Sequence, residues 1–256
     1  MQLFSLVGFT ILVLLTGFPS IHFLQNGSDS VFLVIAAGVL NVFGLMQLYR
    51  AFSVGNMSLA APIAGSFPIF TILLAFVVLG QTIGLEKGIA IAIVISGVIM
   101  TGISPETEHV QIGKKSNSST VASALIASFF FGAAYLCLDA GLGYLGAVIS
   151  IWFVRLGAVI FAFPFLFLTT KKFVRPRGET WKWLIAMTLL DSSGFAALTL
   201  GYVYSGSSTA IVTTLSSLLG AVTTILAAVI YKDRLTRIQI VGIVVLFLGV
   251  IVVLNV

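Results

Sequence analysis

Long apolar stretches alternate with short polar ones along this chain of 256 residues. Each apolar stretch is long enough to cross a hydrocarbon layer about 30 Å thick. They cover residues 1–24, 30–54, 57–80, 84–103, 119–139, 146–170, 180–204, 208–231 and 236–255. Lipid cannot hydrogen-bond an open backbone, and the stretches lack the alternation typical of barrel strands, so helices are predicted. The pattern therefore predicts an all-α polytopic membrane protein with nine spans.

Composition supports this class of protein and excludes an ordinary soluble domain. Hydrophobic residues make up 59% of the chain and charged residues 8%, whereas a soluble domain carries about 25% charge. The net charge of +5 comes from bases in short loops, which membrane topology explains better than nucleic-acid binding does. Cys137 is the only cysteine, so no disulfide framework is expected.

The sequence contains an internal repeat. Residues 35–66 reappear about 150 positions later, and after a slip of two residues the match resumes in the last helix. Identical pairs include Ile35/Ile185, Leu40/Leu190, Gly44/Gly194, Ser58/Ser208, Ser66/Ser216, Gly97/Gly249 and Val98/Val250. Internal repeats in a membrane chain indicate a secondary transporter whose site lies where the repeats meet. The predicted repeats are residues 1–103 and 119–256, joined by the polar linker 104–118.

Lysine and arginine predict the orientation. Alternate loops and helix ends place eleven bases on one side of the membrane and only Lys87 on the other. The eleven are Arg50, Lys114, Lys115, Lys171, Lys172, Arg175, Arg177, Lys182, Lys232, Arg234 and Arg237. By the positive-inside rule the linker is cytoplasmic and the C-terminus lies outside. The expected location is the cell membrane.

Short motifs recur in order within the duplicated unit. The first repeat contains Leu48–Phe52 at the end of one helix, and the segments Ala60–Ile63 and Phe67–Pro68 open the next. The last helix carries Leu235-Thr236, Gln239, Gly242 and Gly249. Together these motifs resemble the EamA-type members of the drug/metabolite transporter superfamily, over essentially the whole chain.

This resemblance implies two five-helix repeats of opposite orientation that export metabolites or drugs by alternating access, without a chemical cofactor. The chain departs from the plan at its start. Met1 aligns with Ile151, which is 32 residues beyond Ser119 (151 minus 119), where the second repeat begins. The first family helix is therefore expected to be missing, which leaves four plus five helices. A non-transporting structural or accessory membrane subunit is the alternative interpretation, and either a monomer or a homodimer is compatible with the sequence.

Asp191 is the leading candidate for transport chemistry. It lies near the middle of the 180–204 stretch, where an ionisable side chain costs about 2.5–3.5 kcal/mol by insertion scales, and Asn41 is its repeat partner. Burial disfavours the charged carboxylate. We hypothesise that Asp191 binds a proton or a cationic substrate while Asn41 supplies hydrogen bonds. Alternatively, Asp191 is protonated or paired with an arginine and only joins helices.

Arg155 is the base placed well within a predicted span, and Ser5 takes its place in the first repeat. Arg155 is a candidate for binding a substrate carboxylate. It can equally snorkel towards the interface or pair with an acid such as Asp139 or Asp191.

Neutral polar residues and prolines complete the candidate site. Ser66, Ser216 and Gln47 are predicted either to line the cavity or to bond within the helix bundle. Pro62 and Pro68 are predicted to kink the 57–80 helix, as a gating hinge or as a static bend. A membrane-embedded enzyme is disfavoured, because both histidines are isolated and the sequence contains no zinc, phosphate or nucleophile motif.

Overall fold

The computed structural model describes most of the chain. The described residues are 1–17, 27–54, 57–80, 84–102, 114–169, 178–204, 209–216, 218–219, 221–222, 225–226 and 235–255. They form α1 (Gln2–Thr16), α2 (Ser28–Val54), α3 (Met57–Ala64), α4 (Phe67–Leu79), α5 (Leu85–Gly102), α6 (Lys114–Leu145), α7 (Ala147–Thr169), α8 (Thr180–Tyr204), α9 (Thr209–Ser216) and α10 (Arg237–Asn255). Within these ranges no strand occurs. The predicted all-α architecture is confirmed.

Helices occur at each of the nine predicted stretches, with two differences of detail. The 57–80 stretch is two helices, because Gly65 and Ser66 form a turn between α3 and α4. Helix α6 begins at Lys114, so residues 114–118, predicted as part of the linker, are helical. Lysine has a high helix propensity and serine a moderate one, so the helix of the apolar stretch extends backwards into these polar residues. The rest of the predicted linker lies outside the described residues.

Four of the described helices meet the length and hydropathy expected of a membrane span: Ser28–Val54, Ser118–Leu145, Ala147–Phe165 and Thr180–Tyr204. Other apolar helices are shorter within the described ranges. Large apolar side chains such as Leu14, Leu15, Val77 and Leu190 are exposed. The buried set, in contrast, includes many serines and threonines and one arginine. This distribution suits a chain whose outer surface contacts lipid and whose interior holds the polar groups.

The chain divides into two compact units. The first comprises residues 1–42 and 134–207, and therefore holds α1, α7 and α8 with parts of α2 and α6. Glycines allow close packing there. A Cβ atom on Gly157 would lie 2.5 Å from the Ile35 carbonyl oxygen, and one on Gly38 would collide with the backbone of Val154. Helices α2 and α7 thus meet backbone to backbone.

The second unit comprises residues 43–133 and 208–256. Its core is apolar, with Val94, Val98, Leu246 and Val250 among its buried members. Helices α5 and α10 pack closely along their lengths. Cβ atoms placed on Gly97, Gly242 and Gly249 would each lie 2.6–2.7 Å from atoms of the opposite helix. These glycines permit the close approach.

The contact between α5 and α10 is reciprocal. Gly97 faces Leu246, while Gly249 faces Val94. At the repeat offset of 152 (249 minus 97), Gly97 corresponds to Gly249 and Val94 to Leu246. Gly242 faces Met100 and Thr101, so rising numbers on α10 meet falling numbers on α5. The two helices are antiparallel and related by a local two-fold, the arrangement in which residue i meets j and j meets i.

Candidate functional site

The candidate site lies within the first unit, where α1, α7 and α8 pack together. Helix α8 buries Thr188, Phe195, Thr199 and Tyr202. Asp191 follows Thr188 by three positions and precedes Phe195 by four, so it shares their face. Arg155, in α7, is 1% exposed. Sequence periodicity thus directs the acid of α8 towards the base of α7.

Arg155 and Asp191 form an ion pair, with 2.8 Å between Nη2 of the arginine and Oδ2 of the aspartate. Of the two acids predicted as partners of Arg155, the structure brings Asp191 to it. The Nη1 group donates a hydrogen bond to Oε1 of Gln2 in α1 at 2.7 Å. The Phe195 ring lies 4.8 Å from the guanidinium carbon, within cation–π range. Three helices therefore converge on one buried guanidinium.

The ion pair is close but poorly aligned for hydrogen bonding. Both Nη2 of Arg155 and Oδ2 of Asp191 are buried without a hydrogen-bond partner among the described residues, although they lie 2.8 Å apart. Distance alone defines the ion pair, whereas a hydrogen bond also needs the N–H to point at its acceptor. We take the pair as an electrostatic contact. Its charges attract, but donor and acceptor remain unsatisfied.

Two further contacts through hydroxyl groups join α1 to its neighbours α7 and α8. Ser5 and Ser192 lie 2.8 Å apart through their Oγ atoms, and the indole Nε1 of Trp152 donates to Thr10 Oγ1 at 2.9 Å. Both contacts involve α1. Ser5, which occupies the position of Arg155 in the first repeat, is therefore part of the same polar layer, although it carries no charge.

Asn41, the repeat partner of Asp191, lies in the same unit but in a different setting. Its side chain is buried at 8% exposure. No hydrogen bond joins Asn41 to Asp191 in the described part of the chain. Their equal predicted depth therefore gives no direct contact in this structure, and a role for Asn41 in binding stays a prediction.

Ser66 belongs to the second unit. Its hydroxyl donates to the Ile63 carbonyl oxygen at 2.6 Å and lies 3.2 Å from Ser128 Oγ. With Thr214 it borders a cleft of about 10 Å³ whose other walls are chiefly isoleucine and valine, about the room that one water molecule needs. Ser216 bonds back to the Val212 carbonyl at 2.8 Å. Gln47 is half-buried. These residues form no polar cluster comparable to the pair around Arg155 within the described ranges.

The predicted kink at Pro68 is wrong in its geometry. Pro68 lies in the first turn of α4, just after the Gly65–Ser66 turn, and not inside a continuous helix. Proline suits a first turn, because that position needs no backbone N–H. The helix is interrupted rather than bent, which is a feature of transporter spans near their binding sites. Pro62 lies within α3, but its side chain lies outside the described residues, so its part as a hinge stays a prediction.

Gln2 is the site residue that sequence reasoning missed. It aligns with Trp152 and not with a polar residue, so comparing the repeats does not reveal it. Gln2 does lie three positions before Ser5, hence on the same helix face. A search for polar residues at helical spacing would have found it. As for metals, no cluster of histidine, cysteine, aspartate and glutamate occurs among the residues described.

Comparison with known families decides the class. The family described as "EamA-like transporter family" matches residues 2–103 and 118–255. The chain belongs to the EamA-like transporter family. It is thus a multi-pass membrane transporter of the drug/metabolite type, from a family of transporters rather than enzymes, with a small-molecule substrate and a lipid environment.

Other comparisons add the fold. A solved structure described as "Crystal structure of protein" is 12% identical in sequence, with a TM-score of 0.62. The match covers 98% of this chain and 95% of the other. At that identity the likeness concerns the fold alone. A comparison with curated proteins gives no match.

Proposed function

We propose that this EamA-like protein is a secondary-active exporter of the cell membrane, acting as a monomer or homodimer. It moves a small organic solute by alternating access and couples that movement to protons through Asp191. One observation carries the proposal: a fully buried arginine paired with an acid inside helices of a transporter. Ionisable groups at membrane depth are costly and usually serve transport.

The accessibility of Asp191 supports its role as the coupling acid. A third of its side chain is exposed, whereas Arg155 is 1% exposed. Because Oδ2 itself is buried, the accessible surface belongs to the remainder of the side chain. In this proposal the exposed part faces the transport pathway and not lipid, so that a proton reaches the carboxyl group while the ion pair is in place.

The remaining predicted residues have assisting parts in this proposal. Asn41, buried in the same unit, offers amide hydrogen bonds to the solute. Ser66, Ser216 and Gln47 contribute neutral polar groups, and the Gly65–Ser66 interruption before Pro68 supplies a point where α4 can reorient. Discontinuous helices serve this purpose in transporters, because irregular backbone is tolerated where it lines a cavity.

Transport in proteoliposomes tests the proposal. The purified chain is reconstituted, a pH gradient is imposed, and a mixture of cell metabolites is offered outside. Mass spectrometry then identifies solutes that accumulate in the lumen. We expect Asp191→Asn to lose gradient-driven accumulation and to retain passive exchange of the same solute, while Asp191→Glu retains both. Asp139→Asn is the matched control, because Asp139 lies in the same unit, and it should transport normally.

Two outcomes would overturn the proposal at different points. Unchanged gradient-driven flux in a folded Asp191→Asn protein would remove Asp191 as the coupling acid. Failure of the folded wild-type protein to move any solute would instead favour an accessory subunit. Size-exclusion profiles in detergent establish that each variant is folded before its flux is compared.

A further inference from the structure

The buried guanidinium of Arg155 carries more hydrogen-bonding capacity than its surroundings use. Its Nε and Nη2 groups have no hydrogen-bond partner among the described residues, and neither has Nε2 of Gln2 beside it. All these atoms are buried donors. Leaving a buried donor unsatisfied costs about 1–3 kcal/mol, and more for a charged group. Such a concentration in a native protein calls for an explanation, and an acceptor that binds there is one.

The geometry of the free donors indicates the chemistry of that acceptor. Nε and Nη2 form one edge of the planar guanidinium, and their N–H bonds point in nearly the same direction. This edge matches the two oxygens of a carboxylate, which it can bind through two parallel hydrogen bonds. The Nη1 group already donates a hydrogen bond to the Gln2 side-chain carbonyl oxygen. The Gln2 amide nitrogen is a third buried donor, in the side chain that contacts Nη1 of the same guanidinium.

Asp191 occupies this edge only in part. Its Oδ2 contacts Nη2 at 2.8 Å without hydrogen-bond alignment, and Nε is left free. A resident carboxylate that only contacts its arginine electrostatically can be displaced by one that makes both hydrogen bonds. Phe195 lies against the guanidinium, so the arginine plane stays in place during such an exchange.

We infer that the transported solute is a carboxylate that binds the Nε/Nη2 edge of Arg155 and Nε2 of Gln2, displacing Asp191, which then takes up a proton. This inference rests on the proposed function and names its substrate class. The proton comes from water and forms an O–H bond on the released carboxyl group. Because a buried unpaired carboxylate is costly, neutralisation follows displacement. The solute and a proton therefore bind together, and export of the pair then runs down the outward gradient of the solute itself.

Other charged or titratable groups face Asp191. These are Arg155 of α7, the Met1 amino group at the start of α1 and the Tyr135 phenol of α6. The amino group attracts the ionised aspartate. A chain extended by a tag before Met1, which has no free amino group at that position, is therefore used in parallel.

The experiment measures binding and proton uptake together in the full-length protein. The probes are acetate, phenylacetate, benzoate and hippurate, each paired with its uncharged primary amide. Binding is followed by calorimetry in lightly buffered detergent solution, and proton uptake by a pH-sensitive dye. We expect at least one carboxylate to bind with uptake of a proton and its amide to do neither. The amides fail because they lack the charge that Arg155 requires.

Three variants sharpen the readout. Asp191→Asn should still bind the carboxylate, and more tightly, because the competitor is gone, but should take up no proton. Gln2→Met should weaken binding by about tenfold to a hundredfold, the value of a lost hydrogen bond to a charged group. Thr10→Val, on the same helix but in contact with Trp152, is the matched control and should bind normally. Added carboxylate should also raise the melting temperature of Asp191→Asn by more than that of the wild type.

Two results would overturn the inference without touching the proposed function: no carboxylate binding in the folded wild type, or equal binding of the amides. The same proton uptake in Asp191→Asn would overturn the inference and would also count against Asp191 as the coupling acid of the proposed function. Conversely, carboxylate binding with proton uptake but no flux in proteoliposomes would remove the transport function and keep the site.

Discussion

The two compact units differ in how far equivalent positions of the two repeats carry the same residue. In the second unit, α5 and α10 meet through equivalent glycines, and each contact on one helix has its counterpart on the other. In the first unit the two repeats differ at equivalent positions: Ser5 aligns with Arg155, and Asn41 aligns with Asp191. Symmetric packing is kept where only stability is needed. Charge appears where the repeats diverge, which is where the chemistry of transport is proposed.

The difference has an energetic reason. Glycine-mediated packing works equally well from both sides, since each helix needs only a small residue at the crossing. A buried charge needs an opposite charge beside it, so each buried base has to be matched by an acid. Divergence of the repeats at Ser5/Arg155 and Asn41/Asp191 supplies one base and one acid. The ion pair joins α7 and α8 of the second repeat, whereas the first repeat carries neutral residues at both corresponding positions.

The largest expected effect comes from breaking the asymmetric pair. Asp191→Leu should lower the free energy of unfolding by about 3–5 kcal/mol, because it leaves a buried arginine without a counter-charge. The double variant Arg155→Met/Asp191→Leu should regain most of that loss, since apolar residues of similar size fill the site. Unfolding by denaturing detergent in mixed micelles measures both. Equal instability of the single and double variants would show that the pair is not the cause.

Substituting the glycines between α5 and α10 should lower stability by a smaller amount, which differs from one glycine to the other. Gly97→Ala places a methyl group 2.6 Å from the Leu246 backbone, whereas Gly249→Ala meets a Val94 methyl group first. Side-chain methyls can yield and backbone atoms cannot. We expect a loss of about 1–3 kcal/mol by overpacking, with Gly97→Ala the worse of the two.

Gly88→Ala is the control for this series. It lies on the same helix α5, where an added Cβ would meet no atom within 4 Å, so its melting temperature should stay at or slightly above that of the wild type. Thermal melting of the three variants in one detergent gives the order. A reversed order, with Gly249→Ala the least stable, would contradict the reciprocal packing described for α5 and α10.

The smallest effect concerns the start of α4. Thr71 is fully buried, and its hydroxyl is shared between the carbonyls of Phe67 and Gly132, each at 3.2 Å. Thr71→Val keeps the shape and removes the bond between α4 and α6, so it should cost about 1 kcal/mol. Ser96→Ala removes an exposed hydroxyl that bonds only within α5. Its stability should be unchanged, and a loss equal to that of Thr71→Val would contradict the assigned bond.

Sequence patterning predicted the helices well and the site in part. Hydrophobic stretches located every helix because, in lipid, length and apolarity leave the backbone no other choice. Asp191 and Arg155 were found because charge within a span is rare. Gln2 was missed, since glutamine in a span carries no such signal. The sequence predicts kinks at Pro62 and Pro68, whereas the structure has a turn at Gly65–Ser66 before Pro68, because one sequence of small residues and proline is compatible with either geometry.

The amino-acid sequence alone determined the class of protein, the helix positions, the duplication and the two charged residues at membrane depth. Each of these can be read directly from the sequence, either from a run of apolar residues or from an alignment of two segments. Only the tertiary structure decided that Arg155 meets Asp191 rather than Asp139, that Gln2 joins them, and that donors remain unsatisfied there. Those outcomes depend on how helices far apart in sequence rotate and pack against one another, and no local pattern encodes that rotation.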